Sequence, residues 1–135
     1  MTGAILTMLT TSCGASDATA YVVTAARANG VPVELALRIS YVETGWRCNL
    51  HNKKSSATGP MQILAGTARD LGYPAIRKLS CFTQTWAGMK YLAICIRLTS
   101  SWYDAARCYY AGPGVLKGKG RHSRGARIYA KKVMK

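Results

Sequence analysis

Glu43, in the stretch Tyr-Val-Glu-Thr-Gly-Trp at residues 41–46, has the setting of a proton-transfer group. It ends an apolar helical run, just before a glycine. In a last helical turn the carbonyl ends carry partial negative charge, which disfavours a carboxylate. Partial burial acts in the same direction. Both effects raise the proton affinity of the carboxyl group, as a general acid requires. A surface Glu at a helix end, or one bonded to a backbone amide, is the bland alternative. The other acidic residues read as structural. Asp17 suits a helix cap, and Glu34 pairs with Arg38 at i,i+4. Asp70 sits beside Arg69, and Asp104 falls in a first helical turn, where an acid is stabilising.

The elements that must position Glu43 read as helices. Ser16 and Asp17 can cap a first one, Ala-Thr-Ala-Tyr-Val-Val-Thr-Ala-Ala-Arg-Ala, which stops at Asn29-Gly30. Pro32 opens a second over residues 33–43, with Leu35, Ala36, Ile39 and Val42 on its buried face. Residues 46–61 read as a loop with room for a small β-hairpin. A short helix capped by Thr67 follows, then helices over 83–98, 102–112 and 126–133. The expected class is mostly α, as one domain over residues 17–135.

Composition narrows the function classes. The chain has 135 residues, 49% hydrophobic and 18% charged, which suits one globular core. A formal charge of +14 attracts polyanions such as nucleic acid, anionic lipid or acidic wall polymers, and equally describes a solvated basic face. The basic residues crowd the C-terminal end. No nucleic-acid motif is visible, and no apolar run is long enough to span a membrane. Residues 1–16 resemble a leader, but they lack a basic start, and the segment before Cys13 is a poor lipidation signal.

The chain has five cysteines without metal-ligand spacing, so no zinc or other metal is expected. Cys48, Cys81, Cys95 and Cys108 can form two disulfides, implying an oxidising compartment, or stay as buried thiols. A helical hairpin turning near Ser101 brings Cys95 level with Cys108 and leaves Cys48 for Cys81. The other pairings stay open, because Cα distances decide them.

The segments Glu-Thr-Gly-Trp (43–46), Ala-Thr-Gly-Pro-Met-Gln-Ile (57–63), Thr-Ala-Arg-Asp-Leu-Gly-Tyr (67–73), Ala-Gly-Met-Lys-Tyr-Leu (87–92) and Tyr-Tyr-Ala-Gly-Pro-Gly (109–114) occur in one order. In that order they resemble the soluble lytic transglycosylases, and the likeness covers most of residues 20–135. The resemblance implies an α+β, lysozyme-like fold and makes Glu43 the catalytic acid/base. It places Thr44 beside Glu43, and Gly59, Met61 and Gln62 along the glycan groove. Tyr109, Tyr110, Ala111 and Gly112 then close the site. Asn52 is the nearest match for a polar residue lining the groove, with Ser55 and Ser56 as substitutes. The chain departs from the family pattern at Thr44 (usually Ser), Pro60 (an apolar residue), Gln84 (often Asn) and Tyr110 (Asn).

The implied reaction cleaves the bond between N-acetylmuramic acid and N-acetylglucosamine without water, giving 1,6-anhydro ends. The implied setting is periplasmic or secreted, with peptidoglycan glycan strands as partner. No cofactor or nucleic acid is expected. A monomer, working beside an envelope-spanning secretion or conjugation machine, fits that setting. Trp46, Trp86, Trp102, Tyr109 and Tyr110 are candidates to stack on sugar rings, Trp86 and Trp102 reading more readily as core. Two other readings remain: a lysozyme-type hydrolase using a second carboxylate, and a catalytically weak binder of glycan or polyanion.

Overall fold

The computed structural model describes residues 17–50, 54–118 and 122–135. The expected leader at residues 1–16, with Cys13, and the candidate Asn52 lie outside the described residues. Six α-helices form among the described residues: α1 (Thr19–Ala28), α2 (Val33–Thr44), α3 (Ala65–Asp70), α4 (Cys81–Arg97), α5 (Trp102–Ala111) and α6 (Ser123–Met134). Two 3-10 turns, Ile76–Lys78 and Pro113–Lys117, were not foreseen from the sequence. The fold is mostly α, as expected. The anticipated hairpin is a single antiparallel bridge, Thr58 with Ile63.

Local chemistry sets the helix ends. Asp17 accepts hydrogen bonds from Thr19 N (2.9 Å) and Thr19 Oγ1 (2.8 Å) ahead of α1. Gly45 ends α2 in the left-handed conformation at φ 62°, donating its N–H to Tyr41 O at 2.9 Å. Ser80 starts α4 two residues earlier than the sequence suggested, because its hydroxyl accepts from Thr83 N at 3.1 Å. Ser101 caps α5 in the same way through Asp104 N. Thr67 does not cap α3, which begins at Ala65 instead. Ser56, from the preceding loop, accepts the Ala65 N–H at 3.0 Å and satisfies that exposed helix end.

The main core gathers Val22, Leu35, Ile39, Met61, Met89 and Leu92, with alanines between them. Helix α4 runs through the middle, touching α1, α3 and α5. Helix α6 packs along α5 and against α2. Its inward face is Ala126, Tyr129, Ala130 and Val133, and α5 answers with Ala105 and Ala106. Small residues on both helices allow close approach. Arg38 on α2 donates to Val133 O at 3.1 Å, and Tyr129 on α6 donates to Glu43 at 2.8 Å. These two tethers fix α2 and α6 as antiparallel neighbours.

Two disulfides staple this arrangement. Cys95–Cys108 joins α4 to α5 with Cα atoms 5.7 Å apart, and Cys48–Cys81 joins the loop after α2 to the start of α4 at 5.6 Å. Both pairings follow the helical-hairpin reading of the sequence. Cys48–Cys81 closes a segment of chain that contains one whole wall of the cleft described below. Closing such a loop restricts the unfolded chain and stabilises the fold by about 3–4 kcal/mol. The double replacement Cys48→Ser/Cys81→Ser should therefore lower unfolding free energy by about that amount, measured by urea titration. Thiol labelling of the unreduced, denatured protein should leave Cys48, Cys81, Cys95 and Cys108 unmodified.

Candidate active site

A cleft of about 680 Å³ opens between the end of α2, the turn at residues 58–63 and the end of α5. Glu43 lies in its lining, together with Gln62, Tyr109, Tyr110, Ala111 and Gly112. The structure thus brings six of the sequence candidates into one cavity. Ser55, weighed as a substitute for Asn52, also lines it.

Thr44, Gly59 and Met61 sit behind the cleft wall. The Thr44 hydroxyl is buried and donates to Pro60 O at 3.0 Å, while Ser40 Oγ donates to the same carbonyl at 2.9 Å. Tyr109 donates its hydroxyl to Met61 O at 2.6 Å. The two central carbonyls of the turn are therefore held by α2 and by α5. The turn closes on itself through Gln62 N to Gly59 O at 3.0 Å, flanked by the Thr58–Ile63 bridge.

Two glycines allow this closeness. Gly59 has φ 78°, and a Cβ there would lie 2.7 Å from Gln84 Cβ. A Cβ on Gly88 of α4 would lie 2.5 Å from Met61 Cβ, so only glycine lets Met61 reach the core. Gln84 in turn donates to Ile76 O at 3.2 Å and Leu79 O at 3.0 Å, anchoring the adjoining 3-10 turn. Gln62 itself adopts φ 52°, a left-handed conformation uncommon for a residue with a side chain. Its amide donates to Gly59 O and Leu50 O, which holds that strained residue at the cleft surface.

The aromatic candidates separate. Tyr109 and Tyr110 line the cleft, joined by Tyr91, whose ring lies 5.4 Å from that of Tyr109. Trp46 packs on Tyr41 at 5.0 Å and donates to Leu37 O at 2.9 Å, lining a separate groove along α2. Trp86 and Trp102 pack against the core.

Burial raises the Glu43 pKa from 4.5 to about 7, and the hydrogen bond from Tyr129 opposes that rise. The cause is chiefly desolvation, which outweighs the stabilising donor. Burial, reinforced by the nearby Glu43 charge, pushes Tyr109 and Tyr129 well above the usual tyrosine range, so both stay neutral donors. Tyr129 was missed by sequence reasoning. Its signal was present: a tyrosine on the inward stripe of an amphipathic helix needs a partner for its hydroxyl. Which residue would supply that partner is a tertiary fact, 86 residues away.

Among the described residues Glu43 is the one acidic side chain lining the cleft. Glu34 pairs with Arg38 and Asp104 with Arg107, both outside that lining. Among the described residues no group of three His, Cys, Asp or Glu is placed to hold a metal ion, and no helix is long and apolar enough to cross a membrane. The chemistry available is proton transfer by the Glu43 carboxyl group in a cleft lined also by Tyr91, Tyr109, Tyr110 and His122.

A family model described as the transglycosylase SLT domain matches residues 20–131. The match spans most of the chain, and the protein belongs to this family, whose members are peptidoglycan lytic transglycosylases. No curated protein and no solved structure matches the chain.

The raised carboxyl has a consequence for stability. Between 4.5 and about 7 the folded state binds more protons at Glu43 than the unfolded state does, so stability falls as pH rises through that window. Glu43→Gln removes the penalty. At pH 8 it should be more stable than wild type by on the order of 2–3 kcal/mol, and near pH 4 the difference should vanish. Denaturant titrations at the two pH values check this. Tyr129→Phe should move the Glu43 pKa upward, read by NMR titration of the carboxyl carbon.

Proposed function

We propose that the protein is a lytic transglycosylase that cleaves the β-1,4 bond between N-acetylmuramic acid and N-acetylglucosamine, with Glu43 as its single acid/base. The observation that carries this reading is one cleft carboxyl group with a pKa of about 7, held by a neutral tyrosine. Such a group can give a proton and take one back within a single cycle near neutral pH.

Protonated Glu43 donates its proton to the glycosidic oxygen, and the bond from the muramic anomeric carbon to that oxygen breaks. The departing N-acetylglucosamine keeps the proton as its new hydroxyl. The Glu43 carboxylate then accepts the proton of the muramic 6-hydroxyl as that oxygen bonds to the anomeric carbon. A 1,6-anhydro ring results, no water is consumed, and Glu43 ends protonated. Tyr129 donates to Oε2 throughout, which steadies the carboxylate in mid-cycle and leaves Oε1 for the transferred proton.

Hydrolysis of the lysozyme type uses two carboxylates at defined separation across the scissile bond. A lone acid among the described residues of the cleft supports the intramolecular route instead. This reading has the protein act outside the cytoplasm, in the periplasm or secreted, and the two disulfides, which persist in oxidising compartments, support it. The basic surface suits an anionic wall.

Purified peptidoglycan digested with wild type should release muropeptides with anhydro ends, identified by mass, and Glu43→Gln, though folded, should release none. Reducing ends would replace the proposed reaction with hydrolysis, and no release by folded wild type would favour a glycan binder. The wild-type rate should fall as pH rises above about 7, by roughly tenfold per unit, as the acid is lost.

A further inference from the structure

Tyr110 presents an aromatic ring to solvent at the cleft, 48% exposed, where an unsupported side chain would be free to turn. It is not free. Its ring lies 5.0 Å from that of Tyr129, with 34° between the planes. Beneath its hydroxyl edge is Gly125 of α6, where an added Cβ would lie 3.0 Å from the Tyr110 hydroxyl and 3.2 Å from Cε2. A side chain at 125 would crowd the ring and make it give by a few tenths of an ångström. Tyr129, the inner ring, bonds Glu43 at 2.8 Å. The exposed ring, its backing ring and the acid thus form one continuous assembly.

We propose that Tyr110 is a stacking platform for a pyranose ring of the glycan, and that it sets the cleft's selectivity for sugars with an open apolar ring face. This rests on the glycan-cleaving reading above. Apolar surface left exposed at a rigid position gains stability when a ligand covers it. A pyranose covers it with its C–H face while its hydroxyls stay in water. Ala111 and Gly112 beside it in the cleft lining carry little or no side chain. Because the backing ring also holds Glu43, a sugar seated on Tyr110 is registered against the carboxyl group. Tyr110 touches substrate in this scheme, and Gly125 is a positioning residue that acts through it.

The test uses Glu43→Gln as the binding background. The probe is a tetrasaccharide of alternating N-acetylglucosamine and N-acetylmuramic acid, followed by calorimetry and by NMR of the sugar protons. Ring-current shifts of sugar C–H protons should appear in that background and persist with Tyr110→Phe at affinity within about twofold. Adding Tyr110→Ala should abolish the shifts and weaken binding on the order of tenfold. Gly125→Ala should diminish the shifts by displacing the ring while melting cooperatively. In the active background, Tyr110→Ala should raise KM and, with the sugar no longer registered against Glu43, lower kcat as well.

Unaltered affinity in Tyr110→Ala, a Tyr110→Phe variant as weak as the alanine, or absence of binding and shifts in the starting protein would each overturn the platform. Its fate separates from that of the reaction. Ring-shifted binding without any cleavage by wild type would sink the transglycosylase reading and leave the platform. Normal cleavage with unaltered Tyr110→Ala binding would sink the platform alone.

Discussion

The cleft depends on keeping one short backbone turn, Gly59 to Gln62, packed inside the protein. A buried carbonyl without a partner is costly, so such a turn persists only where donors meet it. Here the donors are side chains from two helices: Ser40 and Thr44 of α2 at Pro60, and Tyr109 of α5 at Met61. The same contacts that satisfy the turn also set the distance between the two helices whose ends form the site. Gly88 and Gln84 give the turn its seat on α4. Wall and α2 therefore hold each other in place, and Cys48–Cys81 restricts the chain between them.

Glu43 inherits its chemistry from this packing. Its helix ends where the clamp holds it, with Thr44, the next residue, turned inward to the wall and Glu43 facing the cleft. Burial drives its pKa upward, and one tyrosine hydroxyl restrains the rise. Neither influence alone would leave the carboxyl group able both to give and to take a proton near neutral pH. Desolvation alone would leave the carboxylate too costly to form, while several donors would hold it ionised. One donor against substantial burial leaves the two forms near balance at neutral pH.

Much of this was legible in the chain because it is local. The helix run ending in Glu43-Thr44-Gly45 showed where an acid would sit and why its proton would be held. A hairpin turning near Ser101 would bring Cys95 level with Cys108 and leave Cys48 for Cys81, one of the pairings the sequence left open. What stayed hidden was non-local. Thr44, Gly59 and Met61 belong to the groove motifs, yet they support the wall from behind, because pattern gives adjacency in sequence and not which side of a turn faces the core. Tyr129 looked like one more inward residue on a late amphipathic helix, and its partner lies on α2. Thr67 resembled a cap, but the helix end is satisfied across the chain by Ser56. Trp46 looked like a sugar platform, although its indole N–H is committed to Leu37 O on another face of α2.

The charge of the chain and the protonation of its acid pull in opposite directions. Nineteen Lys+Arg against five Asp+Glu produce a positive field, which by itself stabilises an ionised carboxylate. Ion pairs of Arg38 with Glu34 and Arg107 with Asp104 neutralise little of it. Yet the proton at Glu43 is held more tightly than in water. The difference lies in range. Cations on the surface are solvated and screened beyond about 8–10 Å at physiological salt. Desolvation acts at contact and is not screened. A strongly basic exterior and a protonated acid are therefore compatible in one small domain, provided that aromatic rings and a clamped turn, rather than ammonium groups, form the acid's immediate surroundings.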